Sequence, residues 1–519
     1  LFAVEVPPLS AVVPRASAGR PRRAFGRAVA TTSEPDASDA APSLERRALG
    51  RAGFATVRAG WERSLLVRIG QACDRDGVMA EIAALRALRF DDTDLPFVVA
   101  PPYDVIGPSE RALFAARSPY NVVHVDLPEG EGDEKYARAA EILASWRRRG
   151  VLRRDDRPTL VRYAQTFEPP GGGRSITRRG FFALVRAEPY EARVVLPHER
   201  TLSGPKEDRY KLFRATGTAL SPVFLLYRDP SGAVARAIDD SGPSVRWESA
   251  DGVVHELSRV SEESELRTVA TALRDAQLLI ADGHHRYETT LRYGAAIDEE
   301  RAARGLPPSP RGAHRYVLSF LCDADDPGLV VFPTHRIVHS LPHFDRNALV
   351  DGVRRLFEVV AELRADDVPA LLSWLEASGR QGPSLAAVFP DGTAALLRLR
   401  ADVDLDAHPT LSRRAAVLRR CDVMLLHAGI LEPVLGLTAE AQAAQTNLDY
   451  YKVASEAVAR LRAGGGQVLF LMNATPIEQV RAACEAGEVM PQKSTFFYPK
   501  VPTGLVMHVL DPDETIAAS

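Results

Sequence analysis

The chain has 519 residues, room for two to four domains with large cores and far more than a disulfide-stapled miniprotein. Its 65 Lys and Arg against 68 Asp and Glu leave a formal charge of −3, which supplies no global field for coating nucleic acid or an anionic membrane. With 45% hydrophobic and 26% charged residues, and no apolar run near the roughly 20 residues a membrane span needs, the composition excludes bulk disorder, collagen and a transmembrane helix.

The cysteines, Cys73, Cys322, Cys421 and Cys484, form no C-x-x-C pair, against a zinc ribbon, a thioredoxin-like dithiol or a secreted disulfide framework. A reducing cytoplasm is the default location. Only six basic residues are lysines, at 135, 206, 211, 452, 493 and 500, so the default basic side chain here is arginine.

Residues 1–78 are rich in Ala, Arg, Pro and Ser, and the first 33 positions hold five Arg against one acid, Glu5. This segment reads as a disordered leader: an organellar transit peptide, or translated sequence upstream of a functional start at Met79. Beyond it the apolar pattern alternates between short strand-like runs and amphipathic helical stretches, predicting an α/β or α+β protein of mixed sheets with flanking helices. Strands are expected at 97–100 (FVVA), 121–127 (NVVHVDL), 159–167, 180–189, 222–228 and 277–282, and helices at 134–149 and 205–216. GGGRS at 171–175 reads as a hairpin turn. Further helices are expected near 344–357 and 366–377, a hairpin at Asp391-Gly392 and a strand at 467–474. The expected division is a first α/β lobe over 79–340 and a second over 341–519, without internal repeats.

QLLIADGHHRYETTLRYG, 277–294, carries the most chemistry. An apolar run stops at Asp282-Gly283 and an amphipathic helix begins at once, giving strand, glycine turn and helix N-terminus. Unpaired N–H groups and the positive end of the helix dipole let Gly283, His284 and Arg286 receive a phosphate, with His285 beside them. The alternative is that Asp282 merely caps the helix. His284 and Glu288 share a helix face, but no H-E-x-x-H motif accompanies them.

Other polar clusters could complete a site. VLPHERTLSGPKEDRYKLFRATGT, 195–218, puts Lys206 and Arg209 on one helix side, where they could clamp phosphate or simply form a solvated charged face. APPYDVI places Asp104 on a loop, and NVVHVDLP carries Asp126; either acid could serve as base or metal ligand, or be a turn or edge residue. EVMPQKSTFFYPKVPTGL, 488–505, combines Lys493, Ser494, Thr495 and Lys500 with aromatics, most simply as a core-packing terminal strand; FPTHRIVH adds His335 and Arg336. P-loop, G-x-G-x-x-G, G-x-S-x-G and protein-kinase motifs are missing.

Through APPYDVI, NVVHVDLP, PHERTLSGPKEDR, ADGHHRYET, FPTHR and MPQKSTFFYPK, the chain resembles, from Met79 to Val506, the bacterial and archaeal family catalogued as domain of unknown function 1015. The D-G-H-H-R turn is also similar to the phosphate-binding turn of the ParB and sulfiredoxin superfamily, which includes free serine kinases. By that resemblance Gly283 and Arg286 take the places of its glycine and final arginine, and His285 that of the sulfiredoxin histidine. His284 stands where sulfiredoxin has its catalytic cysteine and ParB a glutamate, which speaks against sulfinic-acid repair and a ParB-type switch.

The expectation is a cytoplasmic, Mg²⁺-dependent phosphotransferase moving phosphate from ATP or ADP to a small hydroxylated metabolite, free serine being one candidate. Gly283, His284, Arg286, Lys206 and Arg209 would bind phosphate, and Asp104, Asp126, Asp282 and His285 would share the acid–base and metal roles. A nucleotide or phosphometabolite sensor and a metal-dependent phosphoester hydrolase are the alternatives. The implied partners are a small substrate and a nucleotide, with neither nucleic acid nor membrane.

Overall fold

The computed structural model describes residues 80–517, apart from 171, 200–202 and 240–244. The expected leader and Met79, Arg200 and Gly171 therefore lie outside the described residues. Two mixed α/β layers are built around a nine-stranded and a six-stranded sheet. The larger runs in the order Val195–Leu196, Leu278–Asp282, Val223–Tyr227, Tyr316–Asp323, Ile176–Arg186, Leu160–Phe167, Val254–Val260, Val245–Glu248, with Ile82–Ala83 pairing off Ile176–Arg186. Two of its pairings are parallel, Leu278–Asp282 with Val195–Leu196 and Tyr316–Asp323 with Val223–Tyr227.

Alternation along the strands explains the layering, because successive side chains point to opposite faces. Phe181, Ala183 and Val185 pack in one cluster with Val234 and Val269, from helices Ala233–Asp239 and Glu263–Leu273. Phe182 and Leu184 belong to another with Leu143, Trp146 and Leu212, from helices Glu134–Arg148 and Ser203–Thr216. That second cluster continues into the six-stranded sheet through Val338, Leu385 and Phe470, so both sheets share one core. Helices Val368–Gly379 and Ala454–Arg460 cover the far face of the smaller sheet.

After the last strand of the smaller sheet, Val468–Met472, the chain returns to the first layer. Phe496–Tyr498 pairs with Val330–Phe332, and His508–Val509 with Thr218–Ala219. The segment between Met472 and Phe496 thus spans from one sheet toward the other.

Two expected strands are helical turns instead. FVVA contributes to a four-residue helix, Leu95–Val98, and NVVHVDL to another, Val123–Asp126. Asn121 is the cause. Its Oδ1 accepts the Val123 N–H at 3.0 Å and its amide donates to the carbonyls of Phe97 (2.7 Å) and Val99 (3.2 Å), tying both segments into turns.

Candidate functional site

The strand-to-helix junction forms as expected: Leu278–Asp282, then Gly283, then a 20-residue helix, His284–Ala303. Gly283 has φ 95°, a left-handed conformation that L side chains avoid. A Cβ there would lie 2.9 Å from the Arg286 guanidinium carbon, so the glycine also makes room for that arginine to fold back. Between Ile280 and Asp282 the pairing with Val223–Tyr227 slips by one residue, a bulge that re-aims Asp282 at the end of the strand.

The junction faces two adjoining cavities of about 220 and 230 Å³ that share Asp104, Glu199, Asp282, His284 and Lys493. The second is lined by the first helical turn, Gly283 to Arg286, together with Tyr103. The first adds Thr334, Lys452, Thr495 and Lys500. Four segments distant in sequence, around residues 104, 199, 334 and 493–500, thus converge on the glycine turn. Three of the chain's six lysines, Lys452, Lys493 and Lys500, line the first cavity.

These cations are not equivalent. Lys500 is paired with Asp282 Oδ1. Lys452 lies 4.2 Å from the Phe496 ring centroid, and neither it nor Lys493 has a carboxylate partner among the described residues. Burial and the like charges of Lys500 and Lys493 push the Lys452 pKa down. The ammonium groups of Lys452, Lys493 and Lys500 stand together beside the helix N-terminus, and the same cavity holds the carboxylates of Asp104, Glu199 and Asp282, so it has both an anion-binding and a cation-binding side.

Arg286 is already engaged. It is 5% exposed, donates to Asp282 Oδ2 at 2.6 Å and also to the Pro222 carbonyl. Burial alone would raise the Asp282 pKa, but Lys500 and Arg286 outweigh it and hold the carboxyl well below the usual range. So held, Asp282 is a fixed negative charge rather than a proton acceptor.

The two buried histidines are neutral by their bonding. His198 Nδ1 donates to the Ile280 carbonyl at 2.7 Å, which leaves Nε2 to accept from the Thr495 hydroxyl at 2.8 Å. His284 Nε2 accepts the backbone N–H of His198 at 3.2 Å. Burial, reinforced by His198, lowers the His284 pKa well below its ordinary value. Burial lowers that of His285 as well, against the pull of Glu288.

Of the expected phosphate-binding residues, Gly283, His284 and Arg286 line the cavities; Lys206 and Arg209 are committed elsewhere. Lys206 pairs with Glu288 at 2.8 Å. Arg209 pairs with Asp126 at 2.7 Å and Asp208 at 2.6 Å, and lies 4.2 Å above the Tyr103 ring. Burial opposes its charge, but the carboxylates of Asp126 and Asp208 prevail and raise its pKa. Asp126 thus sits behind Tyr103 as half of a buried ion pair, whereas Asp104, Asp282 and His285 line the cavity.

Two lining carboxylates lack a charged partner. Asp104, on the turn Tyr103–Val105, makes no hydrogen bond or ion pair among the described residues. Glu199 Oε1 accepts the Ser494 N–H at 3.0 Å, which ties it to the segment carrying Lys493. Glu199, Lys493 and Lys500 are visible in the sequence only as members of charged or aromatic runs. Lys452 had no local signal at all.

Among the described residues no three His, Cys, Asp or Glu side chains are grouped to hold a metal ion. The donor set suits Mg²⁺ only as a partner of ligand phosphates, with Asp104 and Glu199 as the protein carboxylates, since Mg²⁺ commonly takes one or two carboxylates plus phosphate oxygens.

A mixed α/β protein with a cleft lined by lysines and carboxylates at a strand–glycine–helix junction is the class these observations define. The chain belongs to the family described as protein of unknown function DUF1015, whose model matches residues 82–424. No curated protein matches it. Among solved structures it is similar to a free serine kinase mutant in complex with ADP, with 13% identity, 62% of this chain and 91% of that chain covered, and a TM-score of 0.32. It is similar also to a conserved hypothetical protein from Pyrococcus furiosus (16% identity, 61% and 92% covered, TM-score 0.30). A third is C-terminally truncated SbnI from Staphylococcus aureus (9% identity, 64% and 90% covered, TM-score 0.32).

Proposed function

We propose that this protein is a phosphotransferase that moves a phosphoryl group from a nucleoside polyphosphate to a hydroxyl of a small polar metabolite. The observation that carries this reading is the convergence of Lys452, Lys493 and Lys500 with the Gly283–Arg286 turn on the same pair of cavities. Phosphoryl transfer depends on holding a spread negative charge in place, and these groups are fixed donors for it.

In this reading Lys452, Lys493 and the positive end of the helix that begins at His284 bind phosphate oxygens. Asp282, Arg286 and Lys500 hold the turn in shape. Asp104, unencumbered and facing both cavities, accepts the acceptor hydroxyl's proton as that oxygen bonds to phosphorus. The bond from phosphorus to the bridging oxygen breaks, and its electron pair leaves with the shortened nucleotide. His285 stands beside this point as a second, neutral proton acceptor. Mg²⁺ would be held by Asp104 or Glu199 together with phosphate oxygens, and would offset charge on the transferring group.

The test is incubation of the full chain with ATP or ADP, Mg²⁺ and a panel of hydroxylated metabolites including serine, followed by detection of transferred phosphate. Transfer that Asp104→Asn abolishes while nucleotide affinity survives supports the assignment. Nucleotide binding without transfer to any acceptor would leave a sensor.

A further inference from the structure

A third cavity, of about 450 Å³, adjoins the first and shares Val105, Lys452, Phe496 and Lys500 with it. Its character differs. The 220 Å³ cavity is ringed by charge, whereas this one is walled by Trp247, Phe114, Tyr498 and a series of prolines, with cations at the shared end and at Arg117 and carboxylates at Glu110 and Asp251. Trp247 lies parallel to His255, with ring centroids 4.8 Å apart and planes 9° apart, and the two form a rigid flat wall. Its neutral polar groups are already engaged, Gln165 with Arg178 and the Lys500 carbonyl and Ser249 with Asp251 and His255, so what the cavity offers a ligand is chiefly flat aromatic and proline surface.

We propose that this cavity is the base site for the nucleotide, with the phosphates leaving it past Lys452 and Lys500 toward the Gly283 turn. The inference rests on the phosphotransferase reading and deepens it. A ligand with an aromatic, largely apolar end and a polyanionic end matches an aromatic cavity opening onto a lysine cluster, and the volume lies in the range of small-molecule sites. It also leaves the 230 Å³ cavity at the helix N-terminus for the acceptor, which limits that acceptor to a small polar molecule.

One wall is suited to admit the ligand. Helix Pro108–Arg117 buries none of its residues, exposes Leu113 at 66%, and contributes Glu110, Phe114 and Arg117 to the cavity. The Arg117 guanidinium lies 4.3 Å from the Phe114 ring centroid, a pair able to close over an aromatic plane.

Calorimetric titration of the full chain with ADP and, separately, with inorganic pyrophosphate tests the assignment without any turnover. Two variants at exposed or half-buried lining positions probe the cavity: Ala250→Trp, which fills it, and Phe114→Ala, which removes part of its wall. The expected result is that Ala250→Trp weakens ADP at least about tenfold and Phe114→Ala several-fold, while pyrophosphate affinity stays within about twofold for both. ADP affinity unchanged in both variants would overturn the proposal, as would ADP binding no tighter than pyrophosphate in the parent. Failure of the parent to bind either ligand would instead remove the phosphate site itself, and the base site with it.

Discussion

Asp282 and Arg286, four residues apart across a left-handed glycine, form a 2.6 Å ion pair that closes the turn over itself. The arginine that most resembles a phosphate ligand in the sequence is therefore a strut in the structure, while Lys452 and Lys493 have no carboxylate partner among the described residues.

This separates two variants. Arg286→Ala leaves Asp282 with Lys500 alone and strands the Pro222 carbonyl, so it is expected to cost about 3 kcal/mol of stability, as loss of one partner of a buried pair does. Lys493→Ala removes a solvent-exposed ammonium and is expected to leave the melting temperature within a degree or two while pyrophosphate affinity falls about tenfold. Thermal unfolding of both variants with and without pyrophosphate decides the matter. Equal stability losses would mean the division of labour is misassigned.

Gly283→Ala is expected to destabilise by at least about 1 kcal/mol from its backbone conformation alone. The added methyl would also meet the Arg286 guanidinium, so anion affinity should fall together with stability. Denaturant midpoints measured beside pyrophosphate titrations check this; an alanine variant as stable as the parent would contradict the φ of 95°.

Much of the local architecture of this site is legible in the sequence. The strand, the turn and the helix start could be read from QLLIADGHHRYETTLRYG because a short continuous apolar run, a glycine and a period-3.6 pattern follow one another without a gap. What the sequence could not show was commitment. Arg209 and Lys493 look equally available on paper, yet Arg209 is buried against Asp126 and Asp208 while Lys493 has no carboxylate partner among the described residues, and that depends on which acids tertiary packing brings near. NVVHVDL failed as a strand because one side chain, Asn121, offers the backbone better partners than a sheet edge would. The aromatic run at 496–498 is a strand, as its composition suggests, but its flanking lysines serve the cleft, a role their spacing alone does not announce.

Acid should unfold the protein early. Burial lowers His255, His335 and His508 from an ordinary 6.5 to about 4. Above pH 6.5 these imidazoles are neutral in both folded and unfolded chains and add no slope. Below it the unfolded chain binds protons that the folded chain refuses, so stability falls on acidification through the window from 6.5 to about 4, by up to about 1.4 kcal/mol per pH unit for each histidine. Urea midpoints at pH 7.5, 6 and 5 would show it, since ordinary carboxylates titrate below that range and Asp422, whose carboxyl burial pushes up to about 7, opposes the slope as one group against three. A flat profile from 7.5 to 5 would mean these histidines are protonated in the folded state.

Arg336 supplies the most discriminating case, because it is fully buried with no carboxylate against it among the described residues. Burial pushes its pKa down to about 10, yet it remains charged at neutral pH and spends that charge on backbone carbonyls. It donates to Lys493 O at 2.9 Å and to Thr334 O, clamping two cavity-lining segments, and Lys493 itself is held at φ 58°. Arg336→Met preserves much of the volume but frees both carbonyls, an expected loss of about 1–3 kcal/mol each where they stay dry. It should therefore speed amide exchange across residues 490–495 and lower pyrophosphate affinity several-fold without touching the anion. Lys493→Ala should do the reverse in part, lowering affinity while exchange over the same residues stays slow. If Arg336→Met speeds exchange but leaves affinity intact, the clamp is only structural, and the position of Lys493 does not govern anion binding.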